Sequence, residues 1–166
     1  MIKIDITTNA QDVASGMQKF PKAMAEAIAG AMNQQNTLLV GYIQKNKLTT
    51  RGANSVGVVS GQLRGSVYAS VASASESEVT SEVGSPIFYA LYQEEGTRPY
   101  TIVPRKARVL SWVGADGNRA FAKKVNHPGL KARHMFRTAI EERSQNYQNA
   151  LLAAADEAWE NVWSGI

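Results

Sequence analysis

Apolar residues fall along this chain in two rhythms, and the change from one to the other marks out its elements. Ile2, Ile4 and Ile6 alternate with Lys3, Asp5 and Thr7, the period of two that predicts a half-buried strand over Met1–Thr8. Pro21 suits a first helical position, where its missing N–H would be unpaired in any case. From there Met24, Ile28, Ala31, Gln35, Leu38, Leu39 and Tyr42 recur at spacings of three and four. A long helix is expected, with one apolar stripe broken by Gln35. Gly30 and Gly41 inside it each cost about 1 kcal/mol relative to alanine, so tertiary packing must hold it.

Residues 49–60, rich in Gly, Ser, Thr and Asn, have no period and read as a flexible surface loop. Val67–Val71 and Val79–Val83 are β-branched stretches that predict a hairpin with a connection longer than a tight turn. Ser85-Pro86 reads as an N-cap and first position of a short helix, with Phe88, Leu91 and Tyr92 on one face. Gly96 should close that helix in a left-handed conformation. Thr101–Val103 and Arg108–Val113 read as strands around a proline-containing turn, and Asp116-Gly117 marks a turn before Arg119–Val125. His127-Pro128-Gly129 fits a type II turn. A last helix over about Ala132–Trp163 carries Phe136, Ile140, Tyr147, Leu151, Ala154, Ala158 and Val162 on one side. The expected fold is α+β: one domain over residues 1–166, with an antiparallel sheet packed on two long helices.

A chain of 166 residues is long enough for one core, and 44% hydrophobic against 19% charged residues is the balance of a folded protein. No apolar run nears the roughly 20 residues that span a bilayer, so neither a membrane span nor Sec export is expected. Without cysteine there is no disulfide, thiolate metal site or thiol nucleophile. His127 and His134 lie far from an HExxH spacing, which leaves no metal site to propose, and His127 reads as a turn residue bonding its own backbone. The Gly-x-Ser-x-Gly frame of a nucleophile elbow and the phosphate loop are both missing, so neither catalysis nor a cofactor is expected.

Charge is spread unevenly. Arg98–Arg137 holds ten basic residues, among them Arg105, Lys106, Arg108, Lys123 and Lys124, against Asp116 alone. That net +9 in a chain of total +4 leaves −5 for the remainder, much of it on the last helix at Glu141, Glu142, Asp156, Glu157 and Glu160. Trp112 lies in an apolar strand and is read as core, whereas Trp159 and Trp163 suit either core or an intersubunit contact.

Three short patterns, in order, carry a resemblance: Gly61-Gln62-Leu63-Arg64-Gly65-Ser66-Val67; Tyr89-Ala90 with Glu94-Glu95-Gly96-Thr97; and His127-Pro128-Gly129 with Ala132-Arg133 and Phe136. Together, over residues 20–145, the chain resembles the head-tail joining family of tailed bacteriophages, also called neck or tail-completion proteins. The resemblance implies a virion protein assembled in the host cytoplasm. It would form a ring, a hexamer if it matches a tail tube, between head-closure or connector proteins and the tail-tube or tail-terminator protein. A tail terminator is the neighbouring reading, and a nucleic-acid-binding module is the alternative from another class. The segment 49–60 looks longer than the family pattern, and the helix past Tyr147 lies beyond it.

The candidate intersubunit or channel contacts are Arg64, Glu94, Arg98, Arg105, Lys106, Arg108, Lys123, Lys124, Glu157 and Glu160, with Gly96, Pro128 and Gly129 as structural turns. Arg64 and Glu94 are either intrachain groups or partners across an interface. The basic stretch faces either DNA phosphates in a channel or the acidic last helix of a neighbouring subunit, and the second is expected because sign-complementary faces set register.

Overall fold

Helix α1 runs from Ala10 to Tyr42 in the computed structural model, which describes residues 10–49, 61–114 and 116–164. The strand expected over Met1–Thr8 lies outside the described residues, as does all of the 49–60 loop beyond Thr49. The helix begins well before Pro21, which stands inside it. An interior proline costs about 3 kcal/mol. Opposing that cost is a contact that periodicity could not show: Phe20 sits edge-on to Trp159, ring centres 5.3 Å apart. The buried face keeps Gln35 and Leu39 of the expected stripe but widens to Ala25, Ala29, Asn36 and Ile43, whereas Leu38 is 48% exposed. A single π-helical turn, Ile43–Lys47, ends the helix, and Leu48 N donates to Ile43 O at 2.9 Å. That wide turn brings both Ile43 and Leu48 into the core.

The last helix, α4 (Met135–Trp163), runs antiparallel to α1, with Tyr42 beside Glu142 at one end and Phe20 beside Trp159 at the other. It starts later than Ala132 because Arg133 N and His134 N donate to Gln93 O and Glu94 O of a neighbouring helix. Met135 and Ala139 are its fully buried residues, and Ile140 of the expected stripe is half exposed.

The core lies at one end of this helix pair. Leu39, Ile43 and Leu48 meet Leu63 of the short helix α2 (Gln62–Ser66) and Val67 just after it, and Ala90, Met135 and Ala139 close the core. Burying each large side chain contributes about 1.5–3 kcal/mol. Across the core runs a polar chain: Tyr147 Oη donates to Asn36 Oδ1 at 2.6 Å, and Asn36 Nδ2 donates to Ser81 Oγ at 2.8 Å. Asn36 is 3% exposed, so this chain ties both long helices to the first hairpin.

Two interrupted hairpins complete an α+β single domain. In the first, β1 (Tyr68–Ala69) pairs with β4 (Val83–Gly84) and β2 (Ser73–Ala74) with β3 (Val79–Thr80). Its connection is tight, not long, because pairing continues through Ser75 N, which donates to Glu78 O at 2.8 Å. In the second, β5 (Tyr100–Ile102) pairs with β8 (Val125–His127), and β6 (Leu110–Val113) with β7 (Arg119–Ala122). The two expected strands around the proline turn therefore do not pair with each other. The β6–β7 turn falls at Asp116-Gly117 as expected, with Gly114 N donating to Asn118 O. Among the described residues there are four two-stranded ladders instead of one sheet, and no helix is long and apolar enough to cross a membrane.

Candidate functional site

Helix α3 (Tyr89–Glu95) begins three residues after Pro86. The Ser85 hydroxyl is shared between Ser66 Oγ at 2.7 Å and Ile87 N at 3.3 Å, and a turn closed by Ala90 N on Ile87 O precedes the first helical residue. Phe88, Leu91 and Tyr92 do lie near one another, but they face outward at 79, 63 and 47% exposure, and Ala90 is the buried residue.

At the end of α3 the second and third resemblance patterns meet. Gly96 has φ 73° and ψ −175°: the positive φ is as expected, but the ψ lies outside the left-handed helical region. The chain leaves extended there because Thr97 and Leu130 exchange backbone hydrogen bonds in an antiparallel bridge. Pro128 leads into Gly129, whose φ of 87° fits the expected turn, and Gly129 N donates to His127 Nδ1 at 3.0 Å. Gly129 and Gly96 each lie where a Cβ would strike the backbone of the other strand of this crossing.

Glu94 closes the junction. Its carboxylate accepts from Phe136 N and Arg137 N, both at 3.0 Å, so it caps the N-terminus of α4 from another helix. Glu95 pairs with Arg137 at 3.3 Å. Arg64 does not join them: its side chain is exposed and its carbonyl accepts from Gln44 Nε2. His134, which precedes α4, is the one non-glycine residue at positive φ among the described residues. Glu94, Glu95 and His134 place ligand-type atoms within 4.8 Å of one another. The carboxylates of that trio are, however, already committed to the helix cap and to Arg137.

Beyond this junction the second hairpin forms an arm. Its strands contact one another and, among the described residues, make no substantial contact with either long helix. The break between its ladders sets residues 103–109 opposite Lys123 and Lys124. Five of the candidate basic residues, Arg105, Lys106, Arg108, Lys123 and Lys124, thus converge there, exposed and without an ion pair among the described residues. Arg98 is exposed near the root. Trp112, read as core, is instead 44% exposed, because among the described residues no further layer packs on the strand that carries it. Val113 and Phe121 are 66 and 62% exposed.

Glu157 and Glu160 lie at the far end of α4, exposed. Trp159 and Trp163 stand 5.4 Å apart there, with Trp159 still 52% exposed. Nearby a groove between α1 and α4 is lined by Ala27, Gly30, Ala31, Ala154, Glu26 and Glu157. Sequence reasoning missed the roles of Asn36 and Glu142. Glu142 accepts from Tyr42 Oη at 2.7 Å and pairs with Lys47 at 2.8 Å. These donors, Lys47 first, hold its carboxyl below the ordinary glutamate range. The Tyr42 hydroxyl is raised, chiefly by that same hydrogen bond.

Comparison with protein-family models, curated proteins and solved structures finds no match to this chain.

Proposed function

We propose that this chain is a structural subunit of the head-to-tail junction of a tailed bacteriophage or prophage, forming a ring, six-fold if it matches a tail tube, between head-closure or connector and tail-tube proteins. In this reading it is a virion component assembled in the host cytoplasm, without a catalytic role. The observation that carries the reading is the arm: a basic, partly apolar ribbon left exposed among the described residues, as expected of a subunit that folds alone and is completed by neighbours. The resemblance adds the particular assembly, and its motifs serve fold closure: Leu63 and Val67 are core, Glu94 caps α4, and Gly96 and Gly129 allow the crossing. Disrupting the gene in the phage or prophage that encodes the chain tests this. Micrographs of the lysate should show DNA-filled heads and separate tails, and complete infectious particles would refute it.

One observation favours a second reading. Exposed Trp112 and Phe121 among unpaired cations are what a nucleic-acid-binding module presents. Binding of the free protein to duplex DNA that weakens steeply with salt would support that class.

A further inference from the structure

We propose that the arm of one copy docks, head to tail, in the α1/α4 groove of the next. The inference rests on the ring reading and supplies its interface. Three features of the two surfaces fit. First, size: the arm offers Val113 and Phe121, which the strand register places on one face of the ribbon, and the groove offers alanines and Gly30, where an added Cβ would meet nothing within 4 Å. Bulky side chains against a floor of small ones give the interdigitation that interface cores share with protein interiors.

Second, charge: the arm has Lys123, Lys124, Arg105, Lys106 and Arg108 around its break, and the groove has Glu26 and Glu157 along it. Such complementarity steers and registers two surfaces. Third, placement: the arm is rooted beside the first turn of α4, and the groove lies along that helix's final half, so the two surfaces sit at opposite ends of one molecule. Docked head to tail and not reciprocated within a pair, such a contact is heterologous and repeats from copy to copy, as a ring requires. DNA fits less well as the arm's occupant. Phosphates would pair the lysines but leave the Val113 and Phe121 side chains uncovered.

The absence of cysteine makes the test direct. A full-length chain with Phe121→Cys and Ala153→Cys carries one thiol on each proposed surface, since Ala153 is an exposed residue of the groove lining. Under mild oxidation over a concentration series it should form a disulfide ladder stepping by one 18.0 kDa subunit, and each single-cysteine variant, with no thiol opposite its own, should stay at the monomer band. Added to that pair, Gly30→Leu fills the groove with a better helix former. It should leave the melting temperature no lower while cutting the ladder by about tenfold or more. Lys123→Glu with Lys124→Glu should likewise suppress the ladder, and Glu26→Lys with Glu157→Lys should restore it.

No ladder, whether the protein is monomeric or multimeric by light scattering, overturns the docking. Salt-sensitive duplex-DNA binding lost in the Lys123→Glu, Lys124→Glu protein, with no ladder, gives the arm to DNA and overturns it too. Multimers without a ladder leave the ring standing. A ladder from a chain whose gene disruption still yields complete particles upholds the docking and fails the phage assignment alone.

Discussion

Glu94 separates an intrachain from an intersubunit role most sharply. Its two carboxylate oxygens each accept one backbone N–H at the start of α4, groups that a helix cannot satisfy itself. Replacing a capping side chain with alanine costs about 0.5–2 kcal/mol, and losing a negative charge at a helix N-terminus costs about 0.3–1 kcal/mol more. Glu94→Ala should therefore destabilise the protein by about 1–3 kcal/mol. In a chain of this size that lowers the melting temperature by about 3–10 °C. Glu94→Gln keeps one oxygen acceptor but neither the charge nor the second acceptor, and should fall between. Circular-dichroism melts and urea titrations of the purified chain measure both. A melting temperature within about 1 °C of the parent, together with lost assembly, would refute the cap and make Glu94 an interface residue.

Gly96→Ala places a Cβ 2.5 Å from Leu130 O and 2.7 Å from Ala132 N, both backbone, on top of an unfavourable φ. It should cost about 1–3 kcal/mol or more by urea titration, clearly more than Gly117→Ala, where φ is also positive but the space is open. Asn36→Leu strips Tyr147 and Ser81 of their buried partner and should cost about 1–3 kcal/mol, and Tyr147→Phe should then cost less in that background than in the parent. The Glu142 carboxyl is lowered by Lys47 and Tyr42, so its contribution is present above the ordinary glutamate range and lost as pH falls through its lower folded value. The gap between the urea midpoints of parent and Glu142→Gln should shrink on acidification. A gap that is constant with pH would show that the ion pair is inert.

The α+β class, the turns at Asp116-Gly117 and Pro128-Gly129 and the positive φ of Gly96 were legible because they rest on local chemistry, acting through φ and the missing Cβ. The start of α1 was not, because Phe20 reaches Trp159, which is distant in sequence, and that contact opposes a local proline signal. The exposure of Leu38 escaped for a related reason. Apolar spacing alone fits both Leu38 and Leu39, and the choice was made by Asn36, whose partners Tyr147 and Ser81 come from two other elements. Trp112 shows the opposite limit. Its apolar strand looks like core in sequence, yet among the described residues it is left 44% exposed. As for the candidate site, the cluster of cations was readable as a charge run. Its convergence on the break in the arm depends on strand register, which unequal segment lengths conceal.

That inequality gives the arm a freedom of its own. The inner ladder takes its register from the Asp116-Gly117 turn, and the outer one from Pro128-Gly129 and the Thr97–Leu130 bridge. Neither relies on residues 103–109, which face only Lys123 and Lys124 across the gap. Lengthening or recharging that segment costs little loop-closure entropy and shifts no strand pair. The segment can therefore change in length and charge while the fold beneath it stays as it is.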